Sequence, residues 1–269
     1  MMSLRRLATL VAALLLHAAA CAAPASVFLE ELTWPEVRDA QAKGKTTIII
    51  PVGGTEQSGP QLALGKHNVR AQLLAGRIAE SLGNALVAPV VSYVPEGSIT
   101  PPTGHMRFPG TISIPDAAFQ ALIDGAARSF KQGGFIDVVL IGDHGGYQSQ
   151  LKAVAQRLNR DWAGSKARVH FIDAYYRVTE TAYVQALHAK GLSDAQIGLH
   201  AGSADTSLML ATDASRVRPD QYDAAARGAP ANGVNGDPRA SSAALGQAGV
   251  ELIVSESVAA IRKATAARQ

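Results

Sequence analysis

The sequence is poor in cysteine, aromatic side chains and net charge. Its 269 residues contain a single cysteine, Cys21, so no disulfide can form within the chain. Aromatic residues make up 5% of the chain and charged residues 17%, with a formal net charge of +3. The basic residues are scattered, and no basic stripe is interleaved with aromatic residues. This composition argues against a nucleic-acid partner.

Signatures of two other site classes are also missing. Neither Ser58 nor Ser203 stands in a Gly-x-Ser-x-Gly elbow, which disfavours a serine hydrolase. The segment DHGGYQ at residues 143–148 has two glycines after an apolar run, as a phosphate-binding loop would. It lacks both the dinucleotide fingerprint and the Lys-Ser/Thr pair of a P-loop, so it is weak evidence for a nucleotide site.

The N-terminal segment, residues 1–22, is predicted to be a signal peptide. Two arginines precede an apolar run at residues 7–16, and small residues follow. Such a run is too short for a permanent membrane anchor, and we predict no stable transmembrane segment. Cleavage after Ala22 would leave a soluble periplasmic or secreted protein. The alternative is a weak lipobox that anchors the protein at Cys21, but an Ala stands where Leu is usual, which favours the soluble form.

Apolar runs bounded by glycine and proline alternate with segments of helical periodicity. Runs of the first kind are typical of strands buried on both faces of a parallel sheet. We therefore predict an α/β fold for residues 23–269, a single domain with a central, mostly parallel sheet flanked by helices. Predicted strands lie near residues 46–52, 86–94, 137–142 and 168–173, and predicted helices near 34–44, 68–82, 115–132, 147–162, 178–190, 200–211 and 240–266.

Glu56, His67 and His144 are the best metal-ligand set in the sequence. Glu56 and His144 each follow a predicted strand, and His67 opens the helix after the first strand. Ligands in open α/β sheets bind beyond the carboxyl ends of the strands. Carboxylate and imidazole groups suit zinc, manganese or iron, and three protein ligands are typical of a catalytic site. The alternative is that these side chains only hydrogen-bond to glycine-rich loops.

His200 and Asp205, in the segment HAGSADTS, form a second candidate pair. Asp205 could orient His200 and raise its basicity, as required of a group that protonates a leaving amine. The competing interpretation is that Ser203 or Asp205 caps the helix that begins here. Composition alone favours capping.

Six segments, in order, resemble the creatininase family of metal-dependent amidohydrolases. They are LTWPEV, PVGGTEQSGPQLALG, GHMRFPGTISI, VVLIGDHGGYQ, HAGSADTSLML and GVNGDPRAS. The resemblance covers nearly all of the chain after the leader. It implies a three-layer α/β sandwich, a small-molecule substrate and homo-oligomers, often hexamers. Members of the family hydrolyse cyclic or linear amides, among them creatinine, a formylated pyrimidine nucleotide and a small modified peptide.

The chain departs from the family pattern at the second metal. The family has a Glu, a His two residues later, and then an Asp that bridges two metals; the matching residues are Glu56, Ser58 and His67. A later family His is matched by His144, and the Glu two residues beyond it by Gly146. Because an imidazole nitrogen cannot bridge two metals, the resemblance implies one divalent ion per chain, zinc, manganese or iron. Its bound water would supply hydroxide.

The resemblance also indicates residues around the substrate. His200 and Asp205 match a family His and Glu and would protonate the leaving nitrogen. His105 and Asp143 are expected to line the substrate pocket, although Asp143 could join the metal shell and His105 could be structural. Gln61 stands where the family often has His, so the pocket has changed.

These observations predict an exported amidohydrolase that cleaves a C–N bond of a small amide or lactam. Creatinine itself is not the expected substrate, because the second metal site and the predicted location both differ from those of the cytosolic enzyme. Two alternatives remain open: a non-catalytic periplasmic protein that binds a small ligand, and a peptidase for short modified peptides.

The leader prediction has a direct test in the intact mass of the mature protein. Protein from the periplasmic fraction is expected to begin at Ala23 and to carry no lipid, because small residues stand at both recognition positions before the cleavage point. A lipidated Cys21 would contradict the soluble form, and a retained Met1 would contradict export.

Overall fold

The computed structural model describes residues 26–266, so the predicted leader and Cys21 lie outside the described residues. Four parallel strands form one sheet in the order β2-β1-β3-β4. The strands are β1 (Thr47–Val52), β2 (Ala85–Val87), β3 (Asp137–Gly142) and β4 (Arg168–Phe171). The two central strands, β1 and β3, pair over their whole length and are buried along it. This confirms the predicted α/β class with a parallel sheet flanked by helices.

The helices surround this sheet, and the first of them begins at the predicted residue. At the first helix, the Glu36 carboxylate accepts hydrogen bonds from the backbone N–H of Thr33 at 2.7 Å and from its hydroxyl at 2.6 Å. This capping box satisfies a free donor at the helix start. The helices are α1 (Trp34–Ala42), α2 (Lys66–Leu82), α3 (Asp116–Gln132), α4 (Gln148–Asp161), α5 (Ala174–Glu180), α6 (Ala182–Ala189), α7 (Asp194–Ile197), α8 (Ser203–Asp213), α9 (Tyr222–Gly228) and α10 (Ala243–Ala266).

The core lies in two layers, one on each face of the sheet. Successive side chains of a strand point to opposite faces. Ile49 of β1 accordingly packs with residues of α2, α5, α6 and α10. Ile48 and Ile50 pack on the other face with residues of α3 and α4. The result is the helix–sheet–helix arrangement expected from the sequence.

Two predicted elements differ from the structure. The second strand was expected over 86–94 but ends at Val87, because Pro89 has no N–H to continue the ladder. Beyond Val87, the N–H of Ala88 donates to Ile49 O at 2.8 Å and that of Val91 to Pro51 O at 3.0 Å, but no regular strand continues. The helix expected over 178–190 is two helices, α5 and α6, separated at Thr181, whose φ of −123° and ψ of −93° are not helical.

Among the described residues, α10 is the one helix long and apolar enough to cross a membrane by length and composition, with a mean hydropathy of 1.3. Core helices of soluble proteins pass the same test. Val250 and Ile253 of α10 are buried in the main core layer. Gly246 and Gly249 let α10 approach α8 closely, since a Cβ at Gly246 would collide with the backbone oxygen of Ser207.

The α8–α10 contact predicts that Gly246→Ala destabilises the protein. The added methyl group has no space, and overpacking of this kind costs roughly 1–3 kcal/mol. Gly125→Ala, in α3, is the matched control, because a Cβ there meets nothing within 4 Å and alanine favours helix. Urea unfolding measures both free energies. Equal stability of the two variants would contradict the packing described.

Candidate active site

Polar side chains converge at the carboxyl edge of the sheet. Glu56 follows β1, Asp143 and His144 follow β3, and His67 lies in the first turn of α2. Because β1 and β3 are neighbouring parallel strands, the loops after them meet at one edge. The start of α8 adds His200 from a distant part of the chain.

The Glu56 carboxylate is the centre of the cluster and is completely buried. Its Oε1 lies 2.7 Å from Nε2 of His67 and 3.6 Å from Nδ1 of His200. Its Oε2 lies 3.2 Å from Nε2 of His105 and 3.6 Å from Nε2 of His144. The structure thus places the predicted trio Glu56, His67 and His144 together. A second possible ligand set, Glu56, His105 and His200, shares the same carboxylate.

His67 is held by Asp143 on the side away from Glu56. The Nδ1–H of His67 donates to Asp143 Oδ1 at 2.6 Å, which leaves Nε2 directed at Glu56. Arg70 Nε and the Tyr175 hydroxyl also donate to Asp143, at 2.8 and 2.7 Å. A carboxylate behind a histidine is the usual support of a metal-binding imidazole. Asp143 borders the cavity described below, but its hydrogen bonds are to these buried residues.

Hydrogen bonds to Nδ1 indicate the tautomers of His105 and His144. The amide of Gln57 is fixed, because its Nε2 donates to Gly233 O at 3.1 Å and its Oε1 accepts from Gly59 N–H at 3.0 Å. Its Nε2 therefore also donates to His105 Nδ1, at 2.8 Å. The proton of neutral His105 then sits on Nε2, which lies 3.2 Å from Glu56 Oε2 but outside hydrogen-bond geometry, so this nitrogen has no lone pair for a metal. The Nδ1 of His144 likewise accepts from the Gly146 N–H, at 3.2 Å, so these hydrogen bonds do not separate the two ligand sets. The set with His67 and His144 is the more deeply buried of the two.

His200 and Asp205 lie in the cluster without contacting each other by a hydrogen bond. The Nε2–H of His200 donates to Gln57 O at 2.9 Å, so its Nδ1 presents a lone pair to Glu56. Asp205 instead accepts from Lys66 Nζ at 3.0 Å and Arg70 Nη1 at 2.9 Å. It also accepts from the N–H of Ala201 at the start of α8. Asp205 therefore does not orient His200, and neither Asp205 nor Ser203 caps α8, whose N-cap residue Gly202 receives no side-chain hydrogen bond.

Sequence reasoning missed several buried residues of the site, among them Lys66 and Glu96. The Lys66 side chain is completely buried, with Nζ 3.5 Å from Glu56 Oε1. The Glu96 side chain is also completely buried, and His144 Nδ1 lies 3.6 Å from its Oε2. Glu96 follows β2, so the rule that placed Glu56 and His144 could have found it. The short β2 and the long loop after it obscured that signal.

The charges of the cluster leave two imidazoles neutral. Burial lowers the pKa of His144 to about 4 and that of His200 to about 3, so both are unprotonated near pH 7. Burial opposes ionisation of Glu56, but the positive charge of Lys66 and the close contact with His67 outweigh it and hold the pKa of Glu56 well below its ordinary value. Neutral imidazoles and an ionised carboxylate are the forms that bind a metal.

The donor set fits a divalent cation. Glu56 Oε2 is buried and has no hydrogen-bond partner among the described residues. Buried polar atoms are nearly always satisfied, so an ion is a physical explanation for this unpaired oxygen. The residues present would hold zinc, manganese or iron through one carboxylate and two imidazoles.

A cavity of about 550 Å³ leads to the site, a volume that suits a small ligand. His67, His144, His200 and Asp205 border it on the side of the cluster. Its other lining includes Tyr176, Tyr183, Glu180, Leu199 and Leu208.

A family profile described as creatinine amidohydrolase matches residues 30–261. The chain is 30% identical to creatinine amidohydrolase of Pseudomonas putida over 191 residues, which are 69% of this chain and 72% of that protein. It is 34% identical to the mycofactocin precursor peptide peptidase of Mycolicibacterium smegmatis over 143 residues, about half of each protein. The chain therefore belongs to the creatininase family, and like the family it is an amidohydrolase that acts on C–N bonds.

Solved structures agree with this assignment. A manganese form of creatininase shares 27% identity at a TM-score of 0.72, with 89% of this chain and 98% of that chain aligned. A mutant creatininase of zinc–zinc type gives 26% identity and a TM-score of 0.70, with the same coverage. The family, its fold and the buried donor set together support a divalent metal.

The ionisation states predict how the stability of the metal-free protein depends on pH. Below about pH 6.5, His144 and His200 bind protons in the unfolded chain but not in the folded protein. The free energy of unfolding therefore falls as pH falls toward about 4. Burial and Glu56 raise the pKa of Glu96 to about 9, so the folded protein keeps a proton that the unfolded chain loses above its ordinary value of 4.5. Stability therefore also falls as pH rises from about 6.5 to 9.

Urea unfolding of chelator-treated protein between pH 5 and pH 9 measures this profile. A maximum near pH 6.5 is expected, and Glu96→Gln is expected to remove the alkaline decline. Wild-type stability that rises steadily to pH 9 would contradict the assignment.

Proposed function

We propose that this protein hydrolyses a C–N bond of a small amide or lactam with one divalent metal ion held by Glu56, His67 and His144. The observation that carries the proposal is the buried, incompletely paired Glu56 carboxylate, with neutral or carboxylate-oriented imidazoles directed at it. A bound divalent ion polarises a carbonyl group and makes water more acidic.

Asp143 positions His67 in this proposal. The hydrogen bond to Nδ1 fixes both the tautomer and the orientation of the ring, and Arg70 and Tyr175 fix Asp143 in turn. Supports of this kind keep a site rigid before substrate arrives. Asp143 is thereby assigned to the support of the metal site rather than to substrate recognition.

His200 is proposed to carry the proton. Its Nε2–H is anchored on Gln57 O, and its neutral Nδ1 is free to take a proton from the attacking water and to pass it to the leaving nitrogen. Asp205 cannot donate that proton. Burial opposes its ionisation, but Lys66 and Arg70 hold the pKa of Asp205 well below its ordinary value, so it stays ionised. We assign Asp205 the role of anchoring these two cations.

The cavity supports a small substrate. Tyr176, Tyr183 and Leu208 supply apolar surface beside the polar cluster, which suits an amide or lactam with an apolar part. Creatinine is disfavoured because Ser58 and Gly146 replace the ligands of the second metal. The second candidate is a peptidase for short modified peptides, supported by the 34% identity to the mycofactocin precursor peptide peptidase.

We also propose that the protein is exported and forms a homo-oligomer. The charge and hydrophobicity pattern of residues 1–22 supports export, with a lipoprotein anchored at Cys21 as the alternative. Family membership supports an oligomer, with a hexamer as the first expectation. The exposed apolar side chains Trp34 and Leu199 are compatible with contacts between subunits.

The central test is metal-dependent turnover. Chelator-treated protein, reloaded with zinc, manganese or iron, is assayed for amine release from a panel of lactams and dipeptides. Turnover is expected with metal and not without it, and His67→Ala is expected to lose at least about 100-fold because a ligand is removed. His188→Ala, a histidine of α6 outside the cluster, is the control. Binding without turnover would favour the non-catalytic alternative.

A second prediction separates proton transfer from metal binding. His200→Ala is expected to lower kcat by roughly 10²- to 10⁴-fold, the usual contribution of a general acid–base group. Its metal content is expected to equal that of wild type, since His200 lies outside the proposed ligand set. Elemental analysis beside steady-state kinetics checks both. Loss of metal in His200→Ala would instead place His200 in the metal shell.

A further inference from the structure

The loops after β1 and β3 are joined at one buried hydroxyl group, that of Tyr147. Tyr147 ends the short 3-10 turn that follows β3, and its side chain is completely buried. Its hydroxyl accepts hydrogen bonds from the backbone N–H groups of Asp143 and His144, each at 3.1 Å. It donates its proton to the carbonyl oxygens after β1, with Gly53 O at 2.6 Å and Val52 O at 2.8 Å. A phenolic hydroxyl both donates and accepts, and here both capacities are used.

These hydrogen bonds connect the two strand ends that bring metal ligands to the site. Gly53 directly follows β1 and lies three residues before Glu56. His144 is the second residue after β3, and its Nε2 lies 3.6 Å from Glu56 Oε2. The distance between these two loops, and with it the distance between Glu56 and His144, is therefore set where the Tyr147 hydroxyl joins them.

The backbone of His144 depends on this hydroxyl more than that of Asp143 does. The N–H of Asp143 also donates to Val52 O, at 2.9 Å. For the N–H of His144, the Tyr147 hydroxyl is the acceptor that the described part of the chain provides. Backbone N–H groups shielded from water are nearly always paired. Without the hydroxyl, the N–H of His144 has to shift to another partner, and its imidazole shifts with it.

The ring of Tyr147 is fixed by packing. It lies against Phe119 of α3, with the ring centroids 5.4 Å apart. A Cβ at Gly142 would be 2.7 Å from Cε2 of Tyr147, so glycine at the end of β3 leaves the space that the ring occupies. Gln148 holds the same turn, because its Nε2 donates to Gly142 O at 2.9 Å and to His144 O at 2.7 Å. The position of the hydroxyl is thus determined by the protein itself.

Tyr147 is not among the described residues that border the cavity, whereas His67, His144 and His200 are. A substrate in the cavity would therefore meet the ligand set and His200, with Tyr147 behind them. Any effect of Tyr147 on the reaction has to pass through the residues that it holds in place.

We propose that Tyr147 is a positioning residue of the metal site, whose hydroxyl sets the spacing between Glu56 and His144 by joining the loops after β1 and β3. The proposal rests on the metal site of the proposed function and adds to it a residue outside both the ligand set and the cavity. Groups that support metal ligands from behind typically contribute roughly 10- to 100-fold to metal affinity.

The metal affinity of Tyr147→Phe tests the assignment, because this change removes the hydroxyl and keeps the buried ring. Zinc and manganese dissociation constants are measured by competition with a chromophoric chelator at pH 7.5. Tyr147→Phe is expected to bind both metals roughly 10- to 100-fold more weakly than wild type.

Asn159→Ala is the matched control. The Asn159 amide also joins a side chain to the backbone, since it donates to Val169 O at 2.7 Å and accepts from Val169 N–H at 2.9 Å. Val169 pairs with Val138 near the amino ends of their strands, at the edge of the sheet away from the site. Asn159→Ala is therefore expected to lose stability but to bind metal as tightly as wild type.

The cobalt(II) forms separate positioning from a general loss of stability. The visible absorption bands of bound cobalt(II) depend on the geometry of its ligands, so the bands of Tyr147→Phe are expected to differ from those of wild type. Those of Asn159→Ala are expected to be unchanged. Wild-type affinity and wild-type bands in Tyr147→Phe would overturn the proposal. Equal weakening of metal binding in both variants would also overturn it, because the effect would then follow from lost stability.

Amide hydrogen exchange of the wild type provides the test if Tyr147→Phe does not fold. Positioning requires the hydrogen bond to exist before metal binds, so the N–H of His144 is expected to be protected in chelator-treated protein. Exchange at the rate of an unprotected amide would overturn the proposal. Failure of the proposed function is distinguishable, since a wild-type protein that binds no metal would overturn both, whereas unchanged metal affinity in Tyr147→Phe overturns the role of Tyr147 alone.

Discussion

The burial of the Glu56 carboxylate is the constraint on which the rest of the site depends. A buried carboxylate is strongly unfavourable unless positive charge and hydrogen bonds compensate it. One of its oxygens faces His67, His200 and the ammonium of Lys66, and the other faces His105 and His144. The second oxygen still lacks a hydrogen bond among the described residues. The cluster is therefore organised as a cation site that the protein groups alone only partly complete.

The position of the Glu56 carboxylate follows from the topology of the sheet. The loops after β1 and β3 meet because the two strands are parallel neighbours, and α2 starts at the same edge. Arg70, one turn along α2 from Lys66 and His67, ties this helix to Asp143 after β3 and to Asp205 in α8. Breaking one of these ion pairs would leave a charge buried without its partner, so they couple the geometry of the site to the packing of three elements.

Much of this arrangement could be predicted from the sequence, for a simple reason. Strands buried on both faces leave an unmistakable apolar run, and the residue types after β1 and β3 identify the edge where ligands gather. The same pattern predicts that Glu56, His67 and His144 lie together at that edge. It also predicted the sheet class and the start of α1.

Other features depend on contacts that one sequence does not display. Lysine is usually a surface residue, and Lys66 is buried because Glu56 and Asp205 compensate its charge. Asp205 was expected to orient His200, but the two cations compete for it more strongly. Glu96 could not be predicted as a buried residue of the site, because β2 ends at Val87 and an irregular loop separates that strand end from Glu96. Local sequence pattern therefore identifies site residues that directly follow strands, but not those that long loops carry to the site.

The most direct measurement is metal content per chain, determined by elemental analysis of purified protein beside His67→Ala. About one equivalent of zinc, manganese or iron in the wild type, lost in the variant, is the predicted result. Two equivalents would show that His105 and His200 hold a second ion despite the hydrogen bond from Gln57. No metal after reconstitution would contradict a metal-dependent hydrolase.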